Sequence, residues 1–277
     1  MINNKLFSIA IVVTFIFIFN ACAGSGHRRK KSQLVNEIKR EITYGRLLAK
    51  EILKKFPMLK NKKLSMYINL VGKSVALFSG RSDIEYHFAV LDTNSINAYA
   101  TPGGYVFITK GAIKLMKNEA ELAGVLAHEI AHVNLKHIMK ELPPPRDTKG
   151  FVNIVASILV AQGTFVSTAF NSIVSRAAKL LFEKGYKIKS EYEADKTALY
   201  YASQTGYYPK GLYDFLDRMH KYKEKNKKTV VYNTHPSTAD RLKRISNIIS
   251  KENFNLNKQR VESRFNQYKY LIAKKNK

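Results

Sequence analysis

The chain has 277 residues, is 45% hydrophobic and carries 16 Tyr and 15 Phe, which excludes a wholly disordered chain and allows one sizeable core. Its formal charge of +26 comes from Lys far more than Arg, with no zinc finger or aromatic RNA-binding signature, so no nucleic-acid partner is expected and anionic lipid headgroups are the better match. A single cysteine excludes any internal disulfide.

Residues 1–22 read as a lipoprotein-type signal peptide. Lys5 is the positive region, 6–19 is an apolar run too short to span a bilayer comfortably, and Ala21 precedes Cys22, the residue expected to take the lipid. An ordinary signal or an uncleaved anchor is the competing reading. Residues 23–32 then form a basic tether, and 33–277 a single domain on the far side of the bacterial inner membrane. Leu34, Ile38, Ile42, Leu48 and Ile52 predict a helix over 33–56, closed by Pro57. Asn61 caps a second helix over 62–78, striped by Leu64, Ile68, Val71 and Val75. Alternation predicts strands over 83–91, 96–101 and 105–109, the last two joined by the Pro102-Gly103-Gly104 turn. Asn118 and Glu121 form a capping box opening a helix that runs to about Lys140, before Pro143. The mostly apolar stretch 151–170 suits a buried helical hairpin better than a membrane span, since Asn153, Gln162, Gly163 and Thr164 dilute it. Further helices are expected at 172–182, 188–204 and 209–226, and a last one through Val261, Phe265, Tyr268 and Ile272.

The fourth helix contains His128-Glu129-Ile130-Ala131-His132. Two histidines four apart lie about 40° from each other and one turn apart, so both imidazoles can reach one ion. Glu129, rotated about 100°, cannot be a third ligand there but can sit beside the water that such an ion activates, as a general base does. The pattern arises by chance in roughly one such chain in a hundred, and surface histidines are the bland alternative. Against that, Leu122, Val125, Leu126, Ala127 and Ile130 make the helix apolar nearly all round.

A catalytic zinc needs a third protein ligand and an open position. Ile138 excludes a histidine six residues after the second, and His137, 140° further round a continuous helix, points elsewhere. Glu191 and Asp195 share a face of the 188–204 helix: Glu191 is the candidate third ligand, and Asp195 the acceptor for the other N–H of a ligating histidine. Glu193 faces away from Glu191. Alone, the pair reads as a solvated acidic helix start; beside the histidines it reads as a metal site.

Four blocks together resemble a known family: NAYATPGGYVFITKGAI (97–113), NEAELAGVLAHEIAHVNLKH (118–137), SEYEAD (190–195) and THPSTADRL (234–242). They are similar to the zinc metallopeptidases of the HtpX and CAAX prenyl endopeptidase family, in its soluble periplasmic, BepA/LoiP-like lipoprotein branch. The resemblance implies an α+β fold, mostly helical and gluzincin-type, with a small antiparallel β-sheet beside the histidine-bearing helix. It implies one Zn²⁺ per chain on His128, His132 and Glu191, with Glu129 as base. It also implies a cleft bordered by Asn97, Ala98 and Tyr99, where substrate pairs by β-addition, and catalytic roles for His235 and Arg241 at the oxyanion, or His235 as a plug in the open metal position. Misfolded or unassembled envelope proteins are the implied substrates, cut by an enzyme anchored through Cys22 to the inner or outer membrane. Oligomeric state is left open. A chaperone-like lipoprotein that grips without cutting is the rival reading.

Overall fold

The computed structural model describes residues 31–143, 168–225, 235 and 238–273. Cys22, the tether up to residue 30 and most of the apolar stretch 151–170 lie outside the described residues. Helix α1 covers 31–55 and α2 Lys62–Ala76, its cap Asn61 accepting from the Leu64 N–H as expected. Three strands follow: β1 (His87–Leu91), β2 (Ala98–Thr101) and β3 (Tyr105–Thr109). Then come α3 (Lys110–Leu115), α4 (Glu119–Asn134) and α5 (His137–Glu141). The remainder is α6 (Thr168–Lys179) with a π turn at Leu180–Lys184, α7 (Ile188–Gln204), α8 (Gly211–Lys225), α9 (Thr238–Lys251) and α10 (Glu262–Ala273). No helix among the described residues is long and apolar enough to cross a membrane.

The sheet is mixed, which corrects the antiparallel expectation. Its order is β1-β3-β2; β3 pairs antiparallel with β2 and parallel with β1. The chain reverses direction between successive strands, so only β2 in the centre would give an all-antiparallel sheet. Instead β3, whose Val106, Phe107, Ile108 and Thr109 are all buried, takes the centre and bonds on both sides. The turn between β2 and β3 needs glycine: Gly103 and Gly104 have φ of 73° and 94°, and a Cβ on Gly103 would meet the Ile42 backbone at 2.5 Å.

Period-two alternation covers the sheet on both faces. Tyr99 and Phe107, paired in register, pack with Tyr44, Leu48, Ile52 and Phe56 of the α1 segment. Ala98, Ala100, Val106 and Ile108 face the larger core with Ile68, Leu122, Leu126 and Ile130. Helix α4 lies at the centre of that core, buried from Glu119 to Val133. Its polar start is satisfied inside the protein. Asn118 accepts from the Glu121 N–H, and Glu119 takes hydrogen bonds from Tyr67 (2.8 Å), Tyr207 (2.7 Å) and Arg264 (2.7 Å). These carboxylates also suit the positive end of the helix dipole.

Candidate metal centre

The apolar surround of α4 carries His128, Glu129 and His132 into the interior, each at most 3% exposed. Helix α7 packs along α4 and brings Glu191 and Asp195 to the same point, both buried. The Nε2 atoms of His128 and His132 stand 3.0 Å apart, and each lies 3.5 Å from a Glu191 carboxylate oxygen. His235 joins them, its Nδ1 2.9 Å from both Glu191 oxygens and its Nε2 3.7 Å from Glu129 Oε1. One ligand atom from each of His128, His132, Glu191 and His235 fits within 4.8 Å of the others.

Asp195 stands behind His128, with Oδ1 3.0 Å from Nδ1. Arg241 is itself buried and engaged by two carboxylates: Nε and Nη2 donate to Asp195 at 2.9 and 2.7 Å, and Nη1 lies 3.1 Å from Glu191 Oε2. Burial favours the neutral form of both carboxyls, yet the charges of His235 and Arg241 hold Glu191 well below the usual carboxylate range, and Arg241 lowers Asp195. Burial and Arg241 work against protonating His128, but hydrogen bonds to Asp195 and Glu191 push it up to about 9. Burial drives His132 the other way, well below its ordinary value. Burial also raises Glu129, whose Oε2 has no hydrogen-bond partner among the described residues.

This donor set fits a divalent cation. With Nδ1 of His128 committed to Asp195, its Nε2 converges with that of His132 on one carboxylate. Such a cluster requires positive charge at its centre. An ion held by two imidazoles and a carboxylate would supply it with a matched donor set.

Of the expected cleft residues, Asn97 and Ala98 line a cavity of about 60 Å³ that opens onto His128 and Glu129. Leu212, Phe215, Leu216 and Met219 of α8 form its apolar wall. The Tyr99 side chain does not reach it, stacking instead on Phe56 with ring centres 6.2 Å apart. Thr109 N–H donates to Asn97 O, so the ladder turns the backbone groups of Ala98 and Ala100, rather than Tyr99, to the free edge. The Ala98 N–H is already taken by its neighbour's Asn97 Oδ1 at 2.9 Å.

The sequence reading misplaced His137. Helix α4 does not continue to Lys140. It stops at Asn134, and Lys136 takes the left-handed conformation (φ 56°, ψ 39°). That break folds His137 back until its Nδ1 is 2.8 Å from Nδ1 of His132. Glu193 does face away from Glu191, but it meets His137 Nε2 at 3.3 Å. Tyr186, just ahead of α7, was also missed: its ring stacks on His132 at 4.1 Å and 17°. Only proximity in the fold reveals these partners.

The chain is similar to several known proteases. The chain is 24% identical over 245 residues to the beta-barrel assembly-enhancing protease of Escherichia coli K12, covering 83% of this chain and 50% of that protein. It is 30% identical over 182 residues to the mitochondrial metalloendopeptidase OMA1 of Schizosaccharomyces pombe, covering 65% and 52%. It is 24% identical over 189 residues to the metalloprotease LoiP of Escherichia coli K12, covering 68% and 70%. The chain thus spans about half the length of the first two. Residues 62–249, which hold all three helix-borne donors, Glu129, His235 and Arg241, match peptidase family M48, and the chain belongs to that family.

Proposed function

We propose that the protein is a zinc-dependent endopeptidase of the bacterial cell envelope. The observation that carries this reading is the buried convergence of His128, His132 and Glu191 with Glu129 Oε2, which has no hydrogen-bond partner among the described residues, beside them. His128, His132 and Glu191 would hold one Zn²⁺ per chain. When bound, the ion supplies Lewis acidity, which draws the pKa of water toward ~7. Glu129 removes the proton from the attacking water and returns it to the departing amine. Its upward shift by burial suits both halves of that task. Asp195 fixes the His128 tautomer by accepting from Nδ1–H. Arg241, saturated by Asp195 and Glu191, reads as the clamp on those carboxylates rather than as an oxyanion donor.

The apolar cavity beside Glu129 and the edge strand β2, whose Ala98 and Ala100 backbone groups turn away from β3, support a polypeptide substrate. Backbone pairing on an edge is tolerant of sequence, and an apolar wall takes side chains that unfolded proteins expose. Misfolded or unassembled envelope proteins are therefore the proposed substrates, as the name of the beta-barrel assembly-enhancing relative also suggests. Lipidated Cys22 and the basic tether would hold the enzyme to the inner or outer membrane on its periplasmic side. The presence of His235 inside the donor cluster favours one second reading, a lipoprotein that grips unfolded segments with little turnover.

Zinc analysis and digestion of an unfolded protein, with and without chelator, test the proposal. About one zinc per chain and chelator-sensitive cleavage are expected. Glu129→Gln is expected to keep the zinc and lose roughly 10²–10⁴-fold in rate. Cleavage by that variant near the wild-type rate removes Glu129 from the mechanism, and binding without turnover in the wild type supports the second reading.

A further inference from the structure

The two histidines of the donor cluster have different supports behind them. Asp195 meets His128 directly. Behind His132 stands a second imidazole: Nδ1 of His137 at 2.8 Å, with Glu193 Oε2 3.3 Å from its other nitrogen. His137 is 2% exposed, while the Glu193 side chain is 43% exposed, so the line runs from the centre of the protein to its surface.

The geometry assigns every proton in this line. His132 Nε2 faces the donor cluster and must offer a lone pair there. Its Nδ1 therefore carries the hydrogen and donates to His137. His137 Nδ1 accepts, so its hydrogen sits on Nε2 and is donated to the Glu193 carboxylate. No other neutral arrangement makes both bonds. Tyr186, stacked on His132, restrains the plane of that ring. The left-handed Lys136 is what brings the second imidazole there, a conformation that costs a non-glycine residue about 1 kcal/mol or more.

We propose that His137 is a positioning residue for the metal ligand His132, with Glu193 as its outer partner. The relay fixes the tautomer and orientation of His132, as a directly bonded carboxylate does for His128. This rests on the metal reading of the site given above.

Chelator competition on the purified protein measures it. Zinc affinity is expected to fall about 10–100-fold in His137→Ala. Glu193→Gln is expected to lose less, and the double variant to bind no more weakly than His137→Ala, because Glu193 acts through the imidazole. His137→Asn, which offers an amide oxygen near the position of Nδ1, is expected to recover most of the affinity. Long-range ¹⁵N–¹H spectra of the zinc-loaded protein are expected to show hydrogen on Nδ1 of His132 and on Nε2 of His137. Equal affinities for the Ala and Asn variants mean that position 137 acts by packing alone and overturn the relay, as does hydrogen on Nδ1 of His137. If the wild type takes up no zinc, the metal reading falls and the relay with it; wild-type uptake with an unchanged His137→Ala affinity removes the relay alone.

Discussion

His128 and His235 reach the same cluster by opposite kinds of support. His128 rises from the middle of a 16-residue helix whose walls are core, its back nitrogen on Asp195 and Asp195 in turn gripped by Arg241. The His235 side chain, 15% exposed, has as its short contacts among the described residues the cluster members themselves: Glu191 at 2.9 Å and His128 at 3.4 Å. Among the described residues, His128 has supports outside the cluster, whereas the polar contacts of His235 are with the ligands and Glu129. The difference separates what builds the site from what occupies it.

The comparison breaks most severely if the builder side loses its clamp. Arg241→Ala leaves Asp195 and Glu191 facing each other in the interior without their shared cation. Breaking such a buried pair costs about 3–5 kcal/mol, and urea unfolding of the metal-free protein measures it. Arg241→Lys is not expected to restore the loss, since an ammonium cannot repeat the fork that spans both Asp195 oxygens. A loss below about 1 kcal/mol would show that α4 and α7 hold the ligands without the arginine.

A milder break lies at the crossing of α4 and α8. Gly124, one turn before His128, packs so closely that an added Cβ would stand 2.5 Å from the Leu212 backbone nitrogen. On the opposing helix, a Cβ on Gly211 would meet the Ala120 carbonyl oxygen at 2.1 Å. Backbone, not a swinging side chain, is in the way in both. Gly124→Ala is expected to cost about 1–3 kcal/mol through overpacking. It should also push α8 away from the apolar cavity, weakening substrate binding before it touches the metal. Retained stability with wild-type zinc and weaker KM would place the whole effect in the cavity.

Legibility in the sequence followed the same divide. His128, His132, Glu191 and Asp195 were readable because each pair sits four apart on a continuous helix, where spacing determines direction. The strands and the caps at Asn61 and Asn118 were readable for equally local reasons. His137 was not, because its direction depends on one left-handed residue, and Lys136 carries no sign of one; glycine or asparagine is the usual marker. Sheet order was hidden as well, since the strand sequences leave open which of β2 and β3 takes the centre. Helix α9 is absent from the elements expected above, although Ile245 and Ile249 repeat at helical spacing.

The smallest expected effect sharpens the comparison instead of breaking it. If His235 occupies a seat that the ligands have built, its removal should leave zinc affinity nearly intact, because His128, His132 and Glu191 keep their own supports. The rate should rise, since an imidazole lying 2.9 Å from the Glu191 carboxylate stands where substrate and water must enter, and its Nε2 lies 3.7 Å from the base Glu129. An increase of only a few-fold is expected if the imidazole exchanges in and out of this position, since it would then block turnover for only part of the time. The opposite role, donation to the oxyanion, predicts a fall of about 10²–10³-fold for the same His235→Ala change. Digestion of an unfolded protein by the zinc-loaded variant therefore separates the two by sign. A fall with zinc fully retained would make His235 part of the machinery, and the divide between builder and occupant would then run through Glu191 alone.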